Sequence, residues 1–220
     1  NERTSAVAMF GSSSSLSAVP IEIEDLGRAA YAPTLEHMRA LHARVANGED
    51  AGRILIVEHD PVYTAGRATP AHELVPQAVP IERGGKITYH GPGQLVVYPI
   101  LPLPVRDVRE WLQRLERFGV SVCSAFGLEA KASVDGTGVF VGAHKVASIG
   151  VAIKRWTNLH GIAINVAMDN APWFAVRPCG RAPETMSDLS TALGRAITLD
   201  EARVAVRERA GILTDPRRSS

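Results

Sequence analysis

A single α+β or mixed α/β domain, with strands in mixed order and helices outside them, is predicted by three features of the sequence. Apolar residues fill 45% of its 220 positions and charged residues 21%, a balance that supports one substantial core. Short β-rich runs bounded by Gly, Pro and Asn recur along the chain, as in RILIVEH (53–59) and LVVYPI (95–100). Amphipathic helical stretches are set outside these runs instead of alternating with each of them, which disfavours a doubly wound sheet.

Each element follows from its local pattern. NERTSAVAMFGSSSSLSAVP is Ser-rich and has no signal-peptide core, so residues 1–20 are expected to be a disordered leader ahead of a domain spanning 21–213, with 214–220 as a flexible tail. IEIEDLG, from Ile21, alternates as a strand does. Leu35, Met38, Leu41, His42 and Val45 then fall at helical spacing, and Asn47-Gly48 supplies the stop. RILIVEH reads as a buried strand, and DPVYTAGR turns into a short extended piece. The next stretch, RGGKITYHGPGQLVVYPI (83–100), packs four glycines around a Tyr–His pair; its local chemistry reads as a bulged hairpin turning at Gly91-Pro92-Gly93.

A helix is marked from Asp107, where D-x-x-E is a capping signal and Val108, Trp111, Leu112, Leu115, Phe118, Val122 and Phe126 form one stripe ending at Gly127. Cys123 sits beside that stripe and is expected to be buried as a small apolar residue. From Gly138 to Asp169 the chain reads as an antiparallel meander of GVFV, KVASIGVAI and LHGIAINVAMD. The loop APWFAVRPCGRAPET follows, then a short helix near Ser187–Leu193 and a last helix from Thr198, with Glu201 at capping-box spacing.

Composition narrows function. A net charge of +1, from 24 basic and 23 acidic residues, leaves no electrostatic footprint for nucleic acid or an anionic membrane. No run approaches the ~18 apolar residues of a membrane span. Two cysteines in unlike contexts suggest no disulfide framework, so a reducing cytoplasm is expected. His59, His72, His144 and His160 are scattered, and neither a metal site nor a cofactor is expected. The glycine-rich stretch matches neither the Walker nor the Rossmann spacing.

Two residues stand out chemically. Cys179, between Pro178 and Gly180 in a polar loop, has no periodicity that would explain it as core; as a nucleophile it needs a neighbouring cation to favour the thiolate. Only four lysines accompany 20 arginines, and one of the four, Lys145, opens the apolar strand of GAHKVASIGVAI. Whether the two side chains meet is not determined by their positions in the chain.

Taken together, EHDPVYTAGR (58–67), RGGKITYHGPGQLVVYPI (83–100), HKVASIGVAIKRWTNLHGIAINV (144–166) and VRPCG (176–180) resemble, in order, the lipoyl(octanoyl)-protein transferases. The resemblance implies a biotin/lipoate protein ligase-like fold, a mixed sheet flanked by helices. It implies transfer of octanoyl from octanoyl-acyl carrier protein to lysines of lipoyl domains, in 2-oxoacid dehydrogenase E2 subunits and the glycine cleavage H protein, in the cytoplasm and without ATP. By the same resemblance, Cys179 is the acyl-thioester nucleophile and Lys145 its proton-shuttling partner. Substrate binding falls to Arg83, Gly84, Gly85, Lys86, Ile87, Thr88, Tyr89 and His90, to Ser148, Ile149 and Gly150, and to Gly161, Ile162 and Ala163.

An acyl tunnel walled by Gly84, Gly85, Gly91 and Gly93, with Ile87 and Tyr89 offering apolar contact, is the expected role of the glycine-rich stretch. Arg67, Lys154 and Arg155 are candidates for a local basic patch facing an acidic protein partner. ETMSDLS (184–190) departs from the family's usual Val-Thr-Ser-Leu-like element, and the GAH link before Lys145 is short. An ATP-dependent lipoate or biotin ligase, an amidotransferase between lipoyl proteins and a non-catalytic lipoyl-domain binder are the alternative readings; the Pro-Cys-Gly cysteine argues against the first and the paired Cys179 and Lys145 against the last.

Overall fold

The computed structural model describes residues 21–133, 138–176 and 182–215; the expected leader, residues 1–20, and residues 216–220 of the expected tail lie outside them. In chain order the elements are β1 (Glu22–Ala29), α1 (Tyr31–Ala46), β2 (Arg53–His59), β3 (Val62–Ala65), β4 (Val79–Pro80), β5 (Thr88–His90), β6 (Gln94–Ile100), α2 (Val108–Ser124), β7 (Ala130–Ala132), β8 (Gly138–Val141), β9 (His144–Lys154), β10 (Thr157–Asn165), α3 (Leu189–Leu193) and α4 (Leu199–Arg209).

Seven strands form the main sheet in the order β1-β2-β6-β10-β9-β8-β7, and β4-β3-β5 form a small second sheet. Within the main sheet β1 and β2 are parallel and every other neighbouring pair is antiparallel. The expected meander is β8-β9-β10, while β7 and β4 carry no pattern that announced them. β9 and β10 turn on Arg155 and Trp156, both left-handed (φ 53° and 58°), the geometry of a two-residue hairpin loop.

The sheet has a core on each face because its central strands alternate two sets of apolar side chains. Ile54, Ile56, Leu95, Val97, Ile162 and Ile164 pack beneath α2 and α4, against Trp111, Leu115, Phe118 and Val206. Leu55, Val57, Val96, Tyr98 and Ala163 face the other way, onto Tyr31, Leu35, Met38 and Leu41 of α1. Burial on both faces is why β2 and β6 read as continuous apolar runs. α2 starts where its capping signal stands: the Asp107 carboxylate accepts from the N–H groups of Arg109 and Glu110 at 2.8 and 3.2 Å. Thr198 and Glu201 complete the capping box of α4. Cys123 is buried in the α2 core, and burial pushes its thiol up to about 12, so it is inert there.

The glycine-rich stretch departs from the expected hairpin. Its Tyr–His half is β5, paired with β3 in the small sheet, whereas its apolar half is β6 in the main sheet. Gly91-Pro92-Gly93 therefore carries the chain from one sheet to another. At Gly93 φ is +84°, and a Cβ would lie 2.0 Å from the carbonyl oxygen of Ala167, so the turn is clamped against the end of β10 by a contact that glycine alone permits. That contact is long-range and leaves no local trace.

Candidate active site

On the α1 side of the sheet a cleft opens over β6, β10 and β9. Arg83, Thr88 and His90 line it from the glycine-rich segment, Ser148, Ile149 and Gly150 from β9, and Gly161, Ile162 and Ala163 from β10. Tyr31, Ile81, Val96, Tyr98 and His160 complete its walls. The cleft is small, with an interior volume of about 30 Å³. It is narrow.

Its smooth floor comes from two strand glycines. Gly150 and Gly161 face each other across β9 and β10. A Cβ at Gly161 would stand 2.2 Å from the Val97 carbonyl oxygen, and one at Gly150 would stand 2.8 Å from Cδ of Arg83. The expectation that Gly84, Gly85, Gly91 and Gly93 wall a tunnel is corrected here: none of them lines the cleft. Gly91 is pressed on the Tyr89 ring, and Gly84 donates its N–H to the Val151 carbonyl at 2.9 Å.

Lys86, Ile87 and Tyr89 also fall outside the cleft lining. Lys86 Nζ pairs with Glu73 at 2.7 Å, Ile87 is fully buried, and Tyr89 packs in a separate cluster with Met168, Trp173 and Met186. Arg83 reaches the cleft with its stem, while its guanidinium donates to the carbonyls of Gly84, Lys86 and Thr64 and to Thr64 Oγ1. It fastens the loop in place.

Beside the cleft lies a group of aromatic and imidazole rings, of which sequence reasoning singled out His90 but not Tyr31, His59 or Tyr98. His59 Nδ1–H donates to the Ala29 carbonyl at 3.1 Å, which leaves Nε2 to accept from the Tyr98 hydroxyl at 3.0 Å. His90 Nδ1–H donates to Gln94 Oε1 at 2.7 Å, and its ring stacks on Tyr31 at 6.2 Å. Burial lowers His59 to about 4 and His90 to about 3, the latter helped by the charge His59 would carry. Both are neutral at physiological pH, so the cleft floor is uncharged there.

Lys145 is the second residue of β9 and is buried at 3% exposure. Gly138 of β8 leaves room for it: a Cβ there would lie 2.4 Å from Lys145 Cε and 3.0 Å from Nζ. The Gly138 N–H donates to Glu116 Oε1 of α2 at 3.3 Å. Burial raises the Glu116 carboxyl, and the Gly138 N–H and the Lys145 ammonium pull it back. Met186 forms a β-bridge with Lys145, and Ser187 N–H donates to the Lys145 carbonyl at 3.0 Å. The divergent ETMSDLS segment is thus pinned beside the lysine. Cys179 lies outside the described residues.

A buried polar chain joins cleft and lysine. From His90 it runs through Gln94, whose Nε2 donates to Asn165 Oδ1 at 2.9 Å, and Asn165 Nδ2 donates to the Ser187 carbonyl at 2.8 Å. Glycine-rich segment, β6, β10 and the Lys145 neighbour are therefore held in one register. Arg67, Lys154 and Arg155 come together with Arg39 around a separate groove of about 530 Å³ between α1 and the β9–β10 hairpin. Among the described residues no three His, Cys, Asp or Glu side chains are grouped to hold a metal ion, and no helix is long and apolar enough to cross a membrane.

The fold is similar to that of solved lipoate-protein ligases. It superposes on lipoate-protein ligase A bound with ATP at a TM-score of 0.69, with 16% identity over 86% of this chain and 83% of that one. A bi-partite lipoate protein ligase from Thermoplasma acidophilum gives 0.66 at 15% identity, over 86% of this chain and 82% of that one. Identities this low carry the fold alone.

Sequence narrows the class: residues 30–210 match the lipoyl protein ligase A/B catalytic domain, and the chain belongs to that family. Octanoyltransferase of Mycobacterium tuberculosis (strain ATCC 25618 / H37Rv) is 45% identical over 196 residues, covering 84% of each chain. Octanoyltransferase of Citrifermentans bemidjiense is 41% identical over 191 residues, 84% of this chain and 93% of its own. Family and relatives together make this chain an acyltransferase.

Proposed function

We propose that this acyltransferase moves octanoyl from octanoyl-acyl carrier protein to the target lysine of lipoyl domains by a ping-pong route through Cys179. The Cys179 thiolate attacks the donor thioester carbon, and the carbon–sulfur bond to pantetheine breaks. The Lys145 ammonium gives its proton to the departing thiolate and becomes neutral. An incoming protein lysine then attacks the enzyme thioester, the amide forms, the Cys179 thiolate leaves, and Lys145 takes up the amine's proton. The first exchange is thioester for thioester and the second runs downhill to an amide, so ATP is not needed. A lysine can exchange this proton at neutral pH, which arginine cannot.

The observation that carries the reading is that Lys145 and the cleft share one strand. Ser148, Ile149 and Gly150 follow Lys145 along β9, in a chain more than 40% identical to octanoyltransferases. Each methylene buried in the cleft contributes about 0.8 kcal/mol, which is enough to hold an uncharged chain without an anchor. The donor, the acceptors (E2 lipoyl domains and glycine cleavage H protein) and a cytoplasmic location belong to this same reading.

Whole-protein mass measurement after exposure to octanoyl-acyl carrier protein, with ATP absent, tests it. The expected result is one octanoyl adduct on the native chain and none on Cys179→Ser. An adduct that survives the substitution removes Cys179 from the mechanism.

A further inference from the structure

We infer that His160, braced by Glu82 and Arg39, closes the far end of the cleft and so sets the length of acyl chain the enzyme accepts. The inference rests on the acyl-transfer reading and adds to it a residue for chain-length selection. His160 lies in the middle of β10, yet its φ is +68°, a left-handed conformation that a non-glycine residue adopts at a cost and keeps where its surroundings demand it. The ring is buried at 2% exposure and lines the cleft. Its Nε2 faces the Glu82 carboxylate, with Oε2 at 3.5 Å, within ion-pair range.

Glu82 and Arg39 belong to the other side of this partition. Arg39 grips the Glu82 carboxylate with two hydrogen bonds of 2.9 and 2.8 Å. Both residues line the wide groove beneath α1 and neither lines the cleft. The order along β9 agrees: Lys145 comes first, Ser148 to Gly150 line the cleft, Val151 pairs with His160, and Ala152 to Lys154 line the groove. One imidazole and one carboxylate separate the slender cleft from the broader groove.

The dimensions fit an eight-carbon chain. From Ser148 to Val151 the strand rises about 10 Å, at ~3.3 Å per residue. Seven carbon–carbon bonds of ~1.5 Å in a zigzag span about 9 Å. A chain that starts level with Ser148 thus ends at His160. Further methylenes would have to push the ring aside and lie against a carboxylate–guanidinium pair, where they gain none of the stabilisation that apolar burial gives.

Glycine is unstrained at φ +68°, so His160→Gly removes the ring and leaves the backbone at ease. Rates of adduct formation from octanoyl- and dodecanoyl-acyl carrier protein, read by intact mass, give a ratio for each protein. His160→Gly is expected to raise the dodecanoyl-to-octanoyl ratio about ten-fold or more, the worth of roughly two newly buried methylenes. Glu82→Ala, whose side chain lies outside the cleft lining, is expected to move the ratio the same way and serves if the first variant does not fold. A ratio unchanged in the folded variants overturns the gate. Failure of the native protein to take octanoyl at all counts against the acyl-transfer reading instead.

Discussion

Acid is expected to destabilise this protein earlier than its carboxylates alone would, because two imidazoles beside the cleft are held neutral. The ordinary histidine pKa of 6.5 falls to about 4 at His59 and about 3 at His90, burial being the larger cause in both. Asp60 and the Ala29 carbonyl favour the charged form of His59, and Gln94 that of His90. Arg83, His160 and His59 itself oppose a charge on His90. Between pH 6.5 and these lowered values the unfolded chain binds protons that the folded chain refuses, so stability falls as the pH falls.

At pH 5 each group is 1.5 units below its ordinary value, which is about 2 kcal/mol. Neither ring is charged in the folded protein at pH 5, so the two contributions add to about 4 kcal/mol. That is a large part of a domain's ~5–15 kcal/mol. Urea unfolding followed through the buried Trp111 and Trp173 should show a midpoint at pH 5 at least about 1 M below that at pH 7, with the slope unchanged. NMR of the two imidazole rings should show no titration between pH 7.5 and 5. Equal midpoints at the two pH values, or a ring that titrates near 6.5, would refute the account.

Two further outcomes follow from the geometry around Lys145. Lys145→Arg keeps the charge and cannot pass a proton, so transfer of octanoyl to a lipoyl domain should fall about 100-fold or more in steady-state rate; near-native turnover would exclude the proton shuttle. Asn165→Ala leaves the Ser187 carbonyl and the Gln94 amide without their partner, both buried, so the urea midpoint should report a loss of about 2–3 kcal/mol. The same variant should also acylate more slowly at temperatures where it is fully folded, and acylation at the native rate there would show that the chain from His90 to Ser187 does not position Lys145.

The sheet's centre was legible because its residues obey local rules. RILIVEH and LVVYPI are strands buried on both faces, and Asp107 and Glu110 mark the start of α2 as a capping pair should. Lys145 was legible through scarcity, being a rare lysine at the head of an apolar strand. What escaped notice is polar and long-range. Gln94 meets Asn165 across 71 residues, Glu82 in the loop between β4 and β5 meets His160 of β10, and Glu116 comes up from α2 to the Gly138 N–H. Each reads locally as an ordinary surface or strand residue. β7 and β4 escaped for another reason: AKA and VP are too short to show a period.

The glycines make the same point about where physical demands arise. A run of them in one stretch suggests a ligand pressed on the backbone, yet Gly91 and Gly93 are filled by Tyr89 and by the Ala167 carbonyl. Their task is to let the chain leave the small sheet and enter the large one within three residues, which sets His90 in the cleft lining and Gln94 in hydrogen-bond contact with it. The bare backbone a slender chain would lie on comes from Gly150 and Gly161, isolated glycines on different strands that become neighbours when β9 and β10 pair. A side chain at Gly161 would strike the β6 backbone at the Val97 carbonyl, and one at Gly150 would strike the Arg83 stem. Close packing against β6 and Arg83 leaves room only for glycine at these two positions, and the exposed backbone on this part of the cleft follows from that packing.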